Sequence, residues 1–328
     1  MMRMMQRRWR FTFAILAVCA CGTGQSVAHD YPARPVTIIV PAGAGASPDV
    51  ITRIVAERLS QVWGQQAVIS NRPGGGGMIA TQAMAGVERD GYTLFMPVAS
   101  TLTVMPELQP KLPIDLDRDL VPIGLLGVQP MMIAVNRALG INSLSELVAR
   151  GKSRPTDLLV GAGRGTIPHM AWEMFRIRAE IDATFVPYPS IARAVQDAIG
   201  GTVNLIVDSP AGLAPALQSG TLKPLAVAAS ARLPNYPDVP TVAEAMPSLG
   251  AFEAGGWFAL MAPAGTPEPV LSKLRADLRA VLGQGELKQR YEALGTYVRL
   301  LSPTETAVFI RTERDRWRPI VRQVGAAQ

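Results

Sequence analysis

Beyond residue 28 the chain contains no cysteine. Its two cysteines, Cys19 and Cys21, both lie near the start of the 328 residues. The remainder therefore has no disulfide, no thiol nucleophile and no cysteine metal site, and it is long enough to bury a core without a covalent staple. Histidine is as scarce: His29 and His169 are the two in the chain. Catalytic pairing or metal ligation at His169 needs partners that the sequence does not offer, so packing or a polar contact is expected there. The patterns GxSxG, HExxH and GxxxxGK[ST] are missing, and CxxC is missing after residue 28, which removes the common hydrolase, zinc, nucleotide and redox signatures. No apolar run after the leader reaches the length of a membrane span. There is no tandem repeat at solenoid periods and no low-complexity segment. Charge is nearly balanced. The net +6 falls to +2 when residues 1–28 are set aside, because four of the 32 basic residues and none of the 26 acids lie there. Such a surface gives no case for nucleic acid.

The first 28 residues differ from the rest. MMRMMQRRWR carries four arginines, FTFAILAVCA is a short apolar run, and Ser26-Val27-Ala28 offers small residues for cleavage. This is the composition of a secretory signal peptide, cut after Ala28. Arg7-Arg8 matches the twin-arginine pattern poorly, so the general export route is favoured. Val18-Cys19-Ala20-Cys21 permits a lipid anchor on Cys21, but the small-x-small site fits better. The expected location is the periplasm.

From Pro35 onward, strand-like and helix-like segments alternate. PVTIIV, QAVISN, DGYTLFMPV, LVPIGLLG, PMMIAVN, DLLVGAG, TFVPYP, VNLIVDS, LKPLAVAAS and GGWFALMAP read as strands, with helical patterns between most of them. Met78 to Val87 reads as a helix. SLSELVAR reads as another, with Ser143 and Glu146 spaced as a capping box. The alternation predicts an α/β protein with mainly parallel sheets. LVPIGLLG and PMMIAVN are separated by little more than Val128-Gln129, as expected where a chain walks from one sheet into another. The Pro-rich ARLPNYPDVPTVAEA precedes the return strand. Two lobes are therefore expected: residues 29–127 with 255–328, and residues 128–254. Two crossings join them and favour hinge closure. The three C-terminal helical patterns are expected to pack back on the first lobe.

The chemistry concentrates at strand ends. After VTIIV, the loop Ala42-Gly43-Ala44-Gly45-Ala46-Ser47 leads into a helix. Ser47 is placed to cap it, Pro48 suits the first helical position, and Asp49 opposes the macrodipole. Small residues let backbone amides approach a ligand closely, and a helix N-terminus favours an anion. A dinucleotide fingerprint does not fit, because its third glycine position is Pro48 and QAVISN ends without an acid. GAGRGTIPHM repeats the design in the second lobe, with Arg164, Gly165 and Thr166 as candidate contacts; a guanidinium suits a carboxylate. Asp208 ends an apolar strand before Ser209-Pro210 and either receives a ligand donor or braces nearby amides. Ser100 and Thr101 are hydroxyls at a further strand end. NRPGGGG, Asn71 to Gly77, fits a sharp strand-to-helix turn better than an anion site. Trp172 and Phe175 share a helix face and are expected in the core.

These residues carry a resemblance. YPARPVTIIVP, NRPGGGGMIA, DGYTL, the GxGT-to-His segment ending at His169, VPY, IGGTV, PDVPTVAEA and GWFALMAPAGTP resemble, in order, the solute-binding receptors of tripartite tricarboxylate transporters, the Bug-type receptors. The resemblance implies a two-lobed, type II periplasmic-binding-protein fold. It implies capture of a small carboxylic or amino-acid-like solute by Ala42 to Ser47 and Arg164 to Thr166, with Asp208 at the matching acidic position. It implies delivery to a two-component membrane permease, with no cofactor, no metal, no catalysis and a monomeric state. Ala42 replaces a frequent phenylalanine, Ala44-Gly45-Ala46 a Pro-Gly-Gly, Arg164 a small or polar residue, and Pro189 a lysine. A wider pocket with an added positive charge is expected. An enzyme on the same scaffold and a ligand sensor with a membrane partner are the alternative classes; binding without turnover separates the first.

Overall fold

The computed structural model describes residues 31–109 and 111–326. The leader and its cleavage after Ala28 lie outside these residues.

From the N-terminus, β1 (Val36–Val40) runs into α1 (Ser47–Trp63), and β2 (Ala67–Asn71) through a glycine turn into α2 (Met78–Ala83). The strand β3 (Thr93–Phe95) leads to the short helices α3 (Ala99–Thr103) and α4 (Met105–Leu108), and then β4 (Leu120–Pro130) follows. The middle of the chain gives β5 (Met132–Asn136), α5 (Leu144–Ser153), β6 (Leu159–Ala162), α6 (Ile167–Ala179), β7 (Thr184–Pro187), α7 (Ile191–Ile199), β8 (Leu205–Asp208), α8 (Pro210–Gln218), β9 (Leu222–Val227) and α9 (Val242–Ala245). The chain ends with β10 (Gly255–Pro263), α10 (Glu268–Gly283), α11 (Gly285–Ala293) and α12 (Pro303–Ala326).

The strands form two five-stranded sheets, ordered β2-β1-β3-β10-β4 and β7-β6-β8-β5-β9. Each sheet is mixed. β10 is antiparallel to β3 and β4, and β5 is antiparallel to β8 and β9. The sheets are thus parallel except for one reversed strand each, and that strand is the one that has crossed from the other lobe. A chain that enters a sheet directly from its neighbour arrives without a crossover helix, so it pairs antiparallel.

Local sequence explains the elements that carry the site. In α1, Ile51, Ile54, Val55 and Leu59 are buried at helical spacing, and Gly64 ends the helix in the left-handed region. The expected Met78–Val87 helix stops at Ala83, because the chain turns through Gly86 at φ +77°. Ser143 caps α5 by accepting from Glu146 N–H, but the Glu146 carboxylate takes the Asn142 amide, not that of Ser143. A reciprocal capping box does form at Thr241 and Glu244. The expected break at Val128-Gln129 is absent: β4 runs unbroken to Pro130, held by β10 and by paired bonds between Val128 and Tyr297. Met131 alone separates β4 from β5.

Three apolar clusters fill the molecule. The first lies between the first sheet and α1, α10 and α11, and a second lies under α7 and α8. The largest joins both sheets through Trp172 and Phe175 of α6, Trp257 of β10 and Trp317 of α12. Trp172 and Phe175 are fully buried, as their spacing predicts. The helices α10 and α11 pack on the first lobe, as expected, but α12 also packs on α6 of the second.

Candidate functional site

In both sheets the C-terminal ends of the parallel strands carry the candidate residues, the edge where open α/β sheets take ligands. In the first lobe, Gly45 turns the chain between β1 and α1 at φ +81°. Ala42 and Gly43 are half-buried, and Ala44 to Ser47 are exposed. The loop is pinned from behind. Asp49, itself buried, accepts the Gly45 N–H at 2.8 Å, Arg53 Nε at 2.9 Å and Asn71 Nδ2 at 2.9 Å. Asn71 Nδ2 also donates to Ala42 O at 3.0 Å. Burial opposes ionisation of Asp49, but the bonds from Arg53, Gly45 and Asn71 outweigh it and hold the carboxyl below its usual range.

Ser47 is not the helix cap. The cap position is Ala46, whose side chain has no oxygen, and Ser47 is the first helical residue. Its hydroxyl instead accepts from Gln129 Nε2 at 3.1 Å. Gln129 is buried near the end of β4, so this bond ties the loop to the crossing strand. Pro48 accordingly sits one residue deeper in the helix than expected.

The second lobe repeats the arrangement. Gly165 turns at φ +72° between β6 and α6. Its N–H donates to His169 Nδ1 at 3.2 Å, so the imidazole is neutral with its proton on Nε2. His169 stacks on Phe185 of β7, with centroids 4.2 Å apart and 30° between planes. Burial, aided by Arg164 and Arg176 and opposed by Glu173, pulls its pKa down to about 4. Thr166 caps α6 by accepting from His169 N–H at 3.5 Å, and its hydroxyl donates to Gly163 O at 2.7 Å. Arg164 is exposed, lies with its guanidinium 5.6 Å from the Phe185 centroid, and forms no ion pair among the described residues.

The remaining candidates lie deeper. Asp208 is 7% exposed. Burial pushes its carboxyl up to about 7, partly offset by the Ser209 backbone amide. It faces the first turn of α8 so closely that a Cβ on Gly212 would lie 2.0 Å from Oδ2. Ser100 is half-buried on α3. Thr101 is wholly buried; its Oγ1 has no partner and packs over Gly77, where a Cβ would lie 2.6 Å away. The string Gly74 to Gly77 has positive φ throughout, which fits the turn expected of it.

Contacts between the lobes bring these strand ends to one side. Leu108, after β3, lies 3.8 Å from where a Gly165 Cβ would stand. Ala211, on the first turn of α8 after Asp208, abuts Gly295 of the first lobe. Two surface depressions, of about 460 Å³ beside Asp115 to Asp119 and about 420 Å³ between α1 and α11, include none of the loop residues. Pattern reading leaves the bracing role of Asp49, Asn71 and Gln129 unassigned, whereas His169 makes the packing and the polar contact expected of it. The signal was present: both loops read G-x-G-x-x-P followed by Asp49 or His169.

Residues 51–326 match the model of a family described as the tripartite tricarboxylate transporter family receptor. The chain is 35% identical to protein BugT of Bordetella pertussis over 314 residues, 94% of this chain and 95% of that one. Among solved structures, an adipate-bound protein of R. palustris is 30% identical with a TM-score of 0.82, covering 90% of this chain and 98% of that one. MatC of Rhodopseudomonas palustris, with bound malate, is 32% identical with a TM-score of 0.77, covering 89% and 100%.

Proposed function

The chain belongs to the tripartite tricarboxylate transporter receptor family, and from that premise we propose that it is an extracytoplasmic receptor that captures a small carboxylate-bearing metabolite and passes it, unchanged, to a two-component permease. The ligand lies between lobes taken as 29–127 with 255–328 and 128–254. It is held by Ala42 to Ser47 on one side and by Arg164 to Thr166 on the other. Ser100 and Thr101 follow β3, the neighbour of β1, and Asp208 ends β8, the neighbour of β6.

The observation that carries the reading is the duplicated loop. Each lobe offers a glycine turn at a helix N-terminus, with exposed backbone at the ligand-taking edge of its sheet. Amides at a helix start favour an anion. Arg164 adds a guanidinium at one of the two loops that forms no ion pair among the described residues, which suits a carboxylate. The relatives' adipate and malate support the same class of ligand. Among the described residues no helix is long and apolar enough to cross a membrane. We place its work in the periplasm, as a monomer, after loss of its leader.

Calorimetry against a panel of mono-, di- and tricarboxylates, amino acids and neutral analogues tests the proposal. A carboxylate should bind and be recovered unaltered after prolonged incubation. Turnover of any panel member would place the chain among enzymes, and binding restricted to neutral compounds would reject the carboxylate reading.

A further inference from the structure

We propose that Asp49 and His169 are paired positioning residues, each holding the left-handed glycine amide of its own lobe's loop and so fixing which neighbouring amides remain for the ligand. The inference rests on reading the two loops as the ligand-binding edges of the lobes.

The equivalence is positional. Gly43-Ala44-Gly45-Ala46-Ser47-Pro48-Asp49 aligns without gaps on Gly163-Arg164-Gly165-Thr166-Ile167-Pro168-His169. The backbones agree: Ala46 lies at φ −72°, ψ 156° and Thr166 at φ −82°, ψ 164°. The Ala46 amide donates to Gly43 O and the Thr166 amide to Gly163 O, both at 3.2 Å. In each loop the residue four after the left-handed glycine takes that glycine's amide. The amides of Ala44 and Ser47, and of Arg164 and Ile167, have no acceptor among the described residues. Each brace is itself immobilised. Asp49 is held by Arg53 and Asn71, and the His169 ring is clamped on Phe185.

The braces differ in charge. Asp49 is an anion matched by Arg53. His169 must be neutral to accept, so the second brace itself adds no charge behind the loop that carries Arg164. The charged groups acting on His169 are Glu173 and Arg176 of α6 and Arg164 of the loop, while β7 contributes the Phe185 ring. Its folded pKa of about 4 lies below the ordinary 6.5. Stability from a neutral His169 is therefore present above that ordinary value and lost as pH falls through about 4.

The test compares wild type, His169→Leu, which cannot accept, and His169→Asn, which supplies the acceptor that an aspartate supplies at the equivalent position. Amide exchange is read at Gly165 and Gly45, imidazole nitrogen shifts at His169, and affinity with adipate as the probe. In wild type, Nδ1 should be unprotonated at neutral pH. In His169→Leu, Gly165 exchange should accelerate about tenfold or more while Gly45 keeps its protection, and adipate should weaken about tenfold. His169→Asn should restore both to within about threefold, and it should abolish the loss of Gly165 protection expected of wild type in acid. A protonated Nδ1 at neutral pH, unchanged Gly165 exchange in His169→Leu, or equal adipate affinity in all three proteins overturns the proposal. If the leucine variant does not fold, the wild-type acid titration decides, because Gly165 protection, taken relative to the intrinsic exchange rate at each pH, must fall as His169 protonates. The exchange measurements need no ligand. A wild type that binds no carboxylate would therefore remove the receptor reading while the brace is still judged.

Discussion

At the scale of single residues, environment separates side chains that the sequence makes look alike. Asp49 and Asp208 are both buried acids beside helix starts. Asp49 has three donors and is held ionised, whereas Asp208 has little but the Ser209 amide and is pushed up to about 7. For Asp208 the folded state keeps its proton to higher pH than the unfolded chain, whose ordinary value is 3.8. The stability it contributes is full below that value and lost as pH rises through about 7. Asp208→Asn removes this slope. Its melting temperature relative to wild type should climb between about pH 4 and about pH 8, by the equivalent of roughly 1–4 kcal/mol. An offset that stays constant across that range in thermal melts would mean that Asp208 titrates as in the unfolded chain. Arg164 makes a different case, because it is exposed and its charge contributes little to folding. Arg164→Ala should leave the melting temperature nearly unchanged while weakening a bound carboxylate by roughly 1.5–3 kcal/mol, about ten- to a hundredfold. Calorimetry at two salt concentrations checks this, and equal affinities would remove Arg164 from the site. Pattern reading locates both glycine loops and Arg164, because glycine spacing and an unusual cation are written in the chain. It does not find that Asn71 braces Asp49, since Asn71 meets it only after β1 and β2 pair, whereas Arg53 reaches it at the i,i+4 spacing of α1.

At the scale of elements, the turn from β2 into α2 shows why a run of glycines is needed and which member matters most. All four from Gly74 to Gly77 have positive φ, a region that costs other residues roughly 1–2 kcal/mol. Only some of them also lack room. A Cβ at Gly76 meets nothing within 4 Å, whereas at Gly77 it would lie 2.6 Å from the buried Thr101 Oγ1. Gly76→Ala should therefore cost about 1–2 kcal/mol from backbone strain alone. Gly77→Ala should cost about 1–3 kcal/mol more, because α3 must move to admit the methyl. Urea titrations of the two variants give the comparison, and equal losses would show that strain, not the contact with α3, selects glycine at Gly77. Composition is enough to mark NRPGGGG as a turn. It does not rank the glycines, because Thr101 approaches from beyond a later strand. Helix starts obey the same rule. Ser143 and Thr241 both precede a glutamate by three residues, yet only Thr241 closes the reciprocal box. The PDVPTVAEA stretch reads as irregular in sequence because its prolines mask the one-turn helix α9.

At the scale of the whole molecule, two facts pull in opposite directions. The chain crosses between the lobes twice, which permits hinge motion, but the largest apolar cluster is common to both sheets through α6, β10 and α12. The crossings are legible in sequence because two apolar runs abut near Val128 and a third follows a Pro-rich connector. The shared core is not, because an amphipathic pattern says which face of α12 is apolar and not that it meets α6. Closure on a ligand is therefore expected to concentrate where the crossings touch. There the Met131 amide donates to Ala254 O at 3.0 Å, the Ala254 amide to Ala228 O at 3.0 Å, and the Ala228 amide to Met131 O at 2.8 Å. The next residue, Gly255, packs on backbone: a Cβ there would lie 2.9 Å from Gln129 O and 3.2 Å from Pro130 Cα. These atoms cannot swing aside as a side chain does. Gly255→Ala should force β4 and β10 apart at the crossing, cost about 1–3 kcal/mol, and disturb the Gln129 bond that holds Ser47. Gly256→Ala is the control, since its nearest neighbours are 3.9 Å away, and it should cost less than about 1 kcal/mol. Small-angle scattering with and without saturating carboxylate should show the radius of gyration falling on binding in wild type and Gly256→Ala, and falling less in Gly255→Ala. Wild-type stability and full contraction in Gly255→Ala would place the pivot elsewhere than at the paired crossings.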